Sequence, residues 1–132
     1  MITGILHGGV MCNNFDKSLQ FYTEVLGGRL MQRAERPDGA RLAFISMGNN
    51  EIVELIWRPG LKPKPFGAGE PGYVGLNHLG LLVDDLDKTC DELQAKGIRF
   101  LEGPTPPRPG ERRIAYFTDP DGNRIHLTAL PK

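Results

Sequence analysis

The sequence predicts an α+β fold made of two copies of one β-α-β-β-β module, and three observations carry that reading. The stretch ILHGGVMCNNFDK near the start returns past the midpoint as LNHLGLLVDDLDK, each with a histidine, a glycine two places on, and an apolar run ending in Asp-Lys. The register is constant: His7 and His78 stand 71 residues apart, as do Gly9 and Gly80, Asp16 and Asp87, and Lys17 and Lys88. Further on, LAFISMGNNEIVELI (42–56) lies over IAYFTDPDGNRIHLT (114–128) at an offset of 72 without a gap, which pairs Phe44 with Tyr116 and Glu54 with His126. Self-similarity at a fixed offset marks a repeated structural unit, and a slip of one residue is what a loop insertion leaves.

The elements follow in order. Residues 4–13 read as an apolar strand. FDKSLQFYTEVL (15–26) puts Phe15, Leu19, Tyr22 and Leu26 on one helical face, with Asn14 as N-cap and Gly27-Gly28 as the stop. Strand signals come next in GRLMQRAE and ARLAFISM, turned by Pro37-Asp38-Gly39, and in EIVELIW after Gly48-Asn49-Asn50. The second half repeats the order: GLNHLGLLVDD, the helix LDKTCDELQAK closed by Gly97, then IRFLE, RRIAYFT and NRIHLTAL. Asp119-Pro120-Asp121-Gly122 reads as turn chemistry despite its carboxylates. RPGLKPKPFGAGEPG (58–72) holds four prolines and four glycines and reads as a linker or lid. GPTPPRPG (103–110) reads as another lip of a cleft. The expected organisation is therefore one domain over 1–132, with module 1 at 1–57, a linker at 58–73 and module 2 at 74–132.

Composition narrows the function. Sixteen basic residues balance sixteen acidic ones with no block of like charge, which removes the cationic surplus of a nucleic-acid or anionic-membrane binder. The longest apolar runs are too short to span a bilayer, and Met1 leads into ITGILHGGV with no signal-peptide pattern. Cys12 and Cys90 form no disulfide framework and no C-x-x-C. The expected compartment is the reducing cytoplasm.

Four titratable residues interrupt apolar strand patterns: His7, Glu54, His78 and His126. Such groups are costly there unless partnered. Taken singly, each has a plain reading, the histidines as satisfied interior or surface residues and Glu54 as part of a solvated strand face. The repeat makes them equivalent in pairs. Two like modules packed about a pseudo-twofold would bring three imidazoles and one carboxylate together, a donor set suited to Zn²⁺, Ni²⁺, Fe²⁺ or Co²⁺. Gly9 and Gly80, two residues past the first-strand histidines, would share their face and leave room beside a metal. Alternation also puts Ile52, Glu54, Ile56 and Arg58 on one face, so Arg58 is within reach of an anionic substrate group. Trp57, Phe66 and Tyr73 are pocket covers or ordinary packing, and Arg112 and Arg113 read as solvated.

The segments ILHGGVMCNNFDKSLQFYTEVLGG, LAFISMGNNEIVELI, LNHLGLLVDDLDKTCDELQAKG and IAYFTDPDGNRIHL together resemble the vicinal oxygen chelate superfamily, the group of glyoxalase I, bleomycin-resistance proteins and extradiol dioxygenases. The resemblance covers nearly the whole chain. It implies paired βαβββ modules forming a U-shaped mixed sheet around a metal site, in a single glyoxalase-like domain. It also implies a homodimer whose metal sites lie at the interface.

The four ligand positions of the family fall on His7, Glu54, His78 and His126, which implies one divalent ion (Zn, Ni, Fe, Co or Mn); Glu54, as the single carboxylate of the four, is expected to be ligand and catalytic base. The implied activity is that of a metal-dependent isomerase or lyase. It would act on a small substrate with vicinal oxygens, through a metal-stabilised enediolate-type intermediate. The sequence departs from small glyoxalase I enzymes at two positions. They carry glutamate where this chain has His126. Those acting on glutathione adducts carry arginine where it has Met11, so that hold on the tripeptide is missing. Substrate contacts are expected from Met11, Trp57 and Arg58. An Fe(II)-dependent dioxygenase of the same superfamily and a non-catalytic drug-binding resistance protein are the alternative readings. No nucleic-acid or membrane partner is expected.

Overall fold

The computed structural model describes residues 1–62 and 75–131. Its contacts divide the chain into two compact units, Met1–Pro63 and Lys64–Lys132. Most of the expected linker, including Phe66 and Tyr73, lies outside the described residues.

The first unit runs β1 (His7–Met11), α1 (Phe15–Gln20), a π-helical turn (Phe21–Val25), β2 (Arg29–Glu35), β3 (Arg41–Gly48) and β4 (Glu51–Trp57). Asn14 caps α1 as expected, its side-chain oxygen accepting the Lys17 N–H at 3.0 Å. The helical segment departs from the expected even α-helix. The Leu26 N–H bonds the Phe21 carbonyl at 3.0 Å, five residues back. That wider turn rotates the chain enough to bury Phe21 and Tyr22 side by side. Its end is set by Gly27 at φ +77°.

The strands form a sheet in the order β1-β4-β3-β2, parallel between β1 and β4 and antiparallel elsewhere. Alternation gives the sheet two faces. Val53 and Leu55 of β4, with Ala43 and Ile45 of β3, are buried with Phe15 and Tyr22 in the core. Ile52, Glu54 and Ile56 point to the other, half-exposed face. Gly28 joins the π-helical turn to β2 at close quarters. A methyl group there would sit 2.6 Å from Ile45 Cγ2 and 2.7 Å from the Tyr22 carbonyl oxygen. Because the second neighbour is backbone, Gly28→Ala is expected to destabilise the fold by about 1–3 kcal/mol, in the range of core overpacking, measurable as a lower urea midpoint.

The second unit runs β5 (Leu79–Leu82), α2 (Leu86–Ala95), β6 (Arg113–Thr118) and β7 (Arg124–Ala129), in a sheet ordered β5-β7-β6. It has one strand fewer than expected. IRFLE reduces to a single bridge between Glu102 and Tyr116. The chain then enters GPTPPRPG, whose four prolines have no N–H to extend a ladder. Thr105 anchors that stretch instead: its N–H bonds the Ile114 carbonyl at 2.9 Å and its hydroxyl accepts the Ile114 N–H at 2.9 Å.

Asp85 caps α2, accepting the Lys88 N–H at 3.0 Å. It stands 71 residues after Asn14, so the repeat extends to the caps. Leu86, Cys90 and Leu93 of α2 are buried, as are Ala115, Phe117, Ile125 and Leu127 of the sheet. Asp119 forms the expected turn, its carboxylate accepting from the Asp121 and Asn123 N–H groups.

Arg113 is not the solvated residue expected. It donates two parallel bonds of 2.7 Å to Asp87 and a third from Nε to the Thr105 carbonyl at 2.8 Å, tying α2, β6 and the proline-rich segment together. The hydrogen bond from Arg113 holds the Asp87 carboxyl below its ordinary value of 3.8. A depressed carboxylate stabilises the fold above its unfolded pKa, and that contribution is lost as pH falls through the lower, folded value. Asp87→Asn is therefore expected to lower the thermal midpoint near neutrality. The gap from the parent should close on acidification below the ordinary carboxylate pKa. A gap independent of pH would contradict this.

Candidate functional site

Each unit brings together one pair of the four expected donors. In the first unit, β1 and β4 run parallel with Gly9 opposite Glu54 and His7 opposite Ile52. His7 and Glu54 are thus diagonal neighbours on the half-exposed face. His7 Nε2 lies 3.1 Å from Glu54 Oε2, with the side chains 37% and 15% exposed. A methyl group on Gly9 would meet only the Ile56 side chain, at 3.8 Å. The backbone leaves open space directly across from the carboxylate. Phe44 of β3 pairs with Glu54 from the other side.

The second unit repeats that register. Gly80 of β5 lies opposite His126 of β7, and Tyr116 of β6 pairs with His126 from the other side. His78 stands one residue before β5 begins and not inside it. Its ring lies 5.1 Å from that of His126, at 85°. His78 Nδ1 is 2.8 Å from Asn77 Oδ1. A proton donated from Nδ1 to that acceptor leaves Nε2 with its lone pair. Tyr116 stacks on His126 at 4.7 Å and 14° and meets His78 edge-on at 5.5 Å.

His126 Nε2 is buried and has no hydrogen-bond partner among the described residues. Burial first, then the neighbouring His78 and Arg112, push the His126 pKa below its ordinary value against a smaller opposing effect of Glu102. The neutral imidazole is the favoured form, and it is the form that ligates metals. A buried ring nitrogen with a lone pair and no donor is chemically fitted to a cation. Imidazole nitrogen and carboxylate oxygen suit borderline divalent metals. Among the described residues no three or more His, Cys, Asp or Glu side chains cluster as a metal-holding group; each unit supplies two of the four.

The remaining expected residues divide. Met11 shares the face of His7 and Gly9 and is 48% exposed. Arg58 follows β4 and reaches Asp38 at 3.7 Å, both side chains being exposed. Trp57 alternates to the face opposite Glu54, donates its indole N–H to the Asn13 carbonyl at 3.2 Å, and has the Arg41 guanidinium 5.5 Å over its ring. Two residues beside the histidines escaped the sequence reading, Tyr116 and Arg124. The signal for Tyr116 was present: the repeat pairs it with Phe44, so each half sets an aromatic residue beside a β4 or β7 donor.

Comparison with known proteins shows the family and the fold. A family model described as the glyoxalase/bleomycin resistance protein/dioxygenase superfamily matches residues 4–127. A probable lactoylglutathione lyase of Synechocystis sp. is 35% identical over 127 residues, covering 93% of this chain and 92% of that protein. The structure of glyoxalase I from Zea mays superposes with a TM-score of 0.76 at 27% identity, over 93% of this chain and 43% of the maize chain. TnmS3, an antibiotic binding protein from Streptomyces sp. CB03234, superposes with a TM-score of 0.75 at 27% identity, over 98% of both chains.

Proposed function

Because this chain belongs to the glyoxalase/bleomycin resistance protein/dioxygenase superfamily, we propose that it is a metal-dependent isomerase or lyase of glyoxalase type acting on a small substrate with vicinal oxygens. One observation carries the reading: repeat-equivalent donor pairs, His7 with Glu54 and His78 with His126, stand beside glycines on strands of matching register, and His126 Nε2 is buried without a partner among the described residues. The similarity to a probable lactoylglutathione lyase supports the same class of chemistry.

His7, Glu54, His78 and His126 would hold one divalent ion. When bound, the ion supplies Lewis-acid stabilisation of the negative charge that develops on substrate oxygens as a neighbouring C–H loses its proton. The rest of the chemistry belongs to the chain. Glu54 is the one carboxylate of the set and accepts that proton. Gly9 keeps the space opposite Glu54 open, and Met11 offers an apolar contact on the same face. Tyr116 holds the His126 ring by stacking.

The test is purification without chelators, metal analysis, and a screen of 2-oxoaldehyde adducts, α-hydroxyketones and catechols with and without oxygen. Turnover of a carbonyl substrate that needs a divalent metal but no oxygen supports the proposal. Strictly oxygen-dependent, iron-specific turnover replaces it with the dioxygenase. Tight binding of an antibiotic with no turnover replaces it with a drug-binding role like that named for TnmS3.

The same reading includes a homodimer, with the donor pairs completed between chains. Light scattering at micromolar concentration is expected to give twice the chain mass of 14.6 kDa. A stable monomer would confine the quartet to one chain.

A further inference from the structure

Arg124 stands on β7 two residues before His126 and on the same face, about 6.6 Å away along the strand at the usual rise per residue. It is half-buried, and its guanidinium carbon lies 4.5 Å from the centre of the Tyr116 ring, the ring that also stacks on His126. Among the described residues its Nε is buried with no hydrogen-bond partner, and the side chain ion-pairs with no carboxylate. Contact with an aromatic face leaves the N–H edge of the guanidinium unmet, and a buried N–H without an acceptor is unfavourable. The arrangement is not a requirement of the sheet. The equivalent strand position in the first unit, 72 residues earlier, is Ile52. One module fills this place with an apolar side chain, and the other with a cation two residues from His126.

We propose that Arg124 is a specificity-determining residue that binds a carboxylate of the substrate, so that the enzyme takes an acid bearing vicinal oxygens rather than a neutral carbonyl compound. The guanidinium fork matches a carboxylate with two parallel N–H donors. Its place two residues from His126 sets that carboxylate within reach of the oxygens being activated. The assignment rests on the proposed metal-dependent function.

The experiment uses the full chain loaded with Zn²⁺ and two probes, catechol and 3,4-dihydroxybenzoate, which share one vicinal oxygen pair and differ by a carboxylate. Isothermal titration is expected to show 3,4-dihydroxybenzoate binding about tenfold tighter or more, the scale of one charge-assisted pair. Arg124→Gln should abolish that preference and leave catechol affinity unchanged, while Arg124→Lys, keeping the charge without the fork, should retain part of it. Equal affinities in the parent overturn the assignment, whatever the variants do. So does a preference that survives Arg124→Gln, or a variant that weakens both probes equally, which is the mark of a packing role. If neither probe binds in a metal-dependent way, the proposed function fails first and the role of Arg124 fails with it.

Discussion

Glu54→Gln is expected to leave the protein folded and metal-loaded while slowing turnover by about 10²–10⁴-fold, the usual cost of losing a general base. The expectation follows from where the side chain stands. Glu54 projects from the half-exposed face of β4, with Gly9 on one neighbouring strand and Phe44 on the other. The core side chains Val53 and Leu55 face the opposite way. An amide of the same size changes nothing in that core but replaces the carboxylate that faces His7 Nε2 at 3.1 Å, so stability should move by about 0.5–1.5 kcal/mol, the net scale of one hydrogen bond. The amide oxygen can still ligate weakly, but it takes up no proton near neutrality. Turnover number and metal content measured on the same preparation separate the two roles. Full activity in Glu54→Gln would show that Glu54 is no base and that water or a histidine moves the proton.

His126→Gln is expected to act in the other order, on metal first and turnover second. The buried Nε2 has no partner within the described residues, and the ring is held between its ladder partner Tyr116 and the edge of His78. A ligand so pre-oriented loses little freedom when it binds an ion. Removing it should weaken divalent-metal affinity by at least about 10–100-fold, the loss that follows when merely the supporting partner of a ligand is removed. Chelator competition measures that change directly, and excess metal should restore part of the activity. His126→Glu should keep the metal, because it substitutes one donor for another of similar preference. Unchanged metal affinity in His126→Gln would remove His126 from the ligand set.

What could be read from the sequence was what repeats or is local. The offsets of 71 and 72 residues pair His7 with His78 and Glu54 with His126. The structure then gave Glu54 and His126 the same ladder setting, a glycine opposite on one side and an aromatic residue on the other, while His7 lies inside β1 and His78 just before β5. Asn14 and the Asp119 turn were legible for a related reason, since a cap or an Asx turn is decided by a side chain and the backbone within a few residues.

Tertiary structure decided what depends on residues far apart in the chain. The π-helical turn after Gln20 buries Phe21 and Tyr22 together, because the core favours that pair over an even helical stripe. The strand expected at IRFLE shrank to one bridge to Tyr116 of β6, because the prolines that follow cannot donate. Arg113 found Asp87 across 26 residues. The buried, unpartnered nitrogens of Arg124 and His126 are invisible in any pattern of letters. Whether a polar atom is satisfied is a property of everything packed around it, and only the folded chain brings that neighbourhood together.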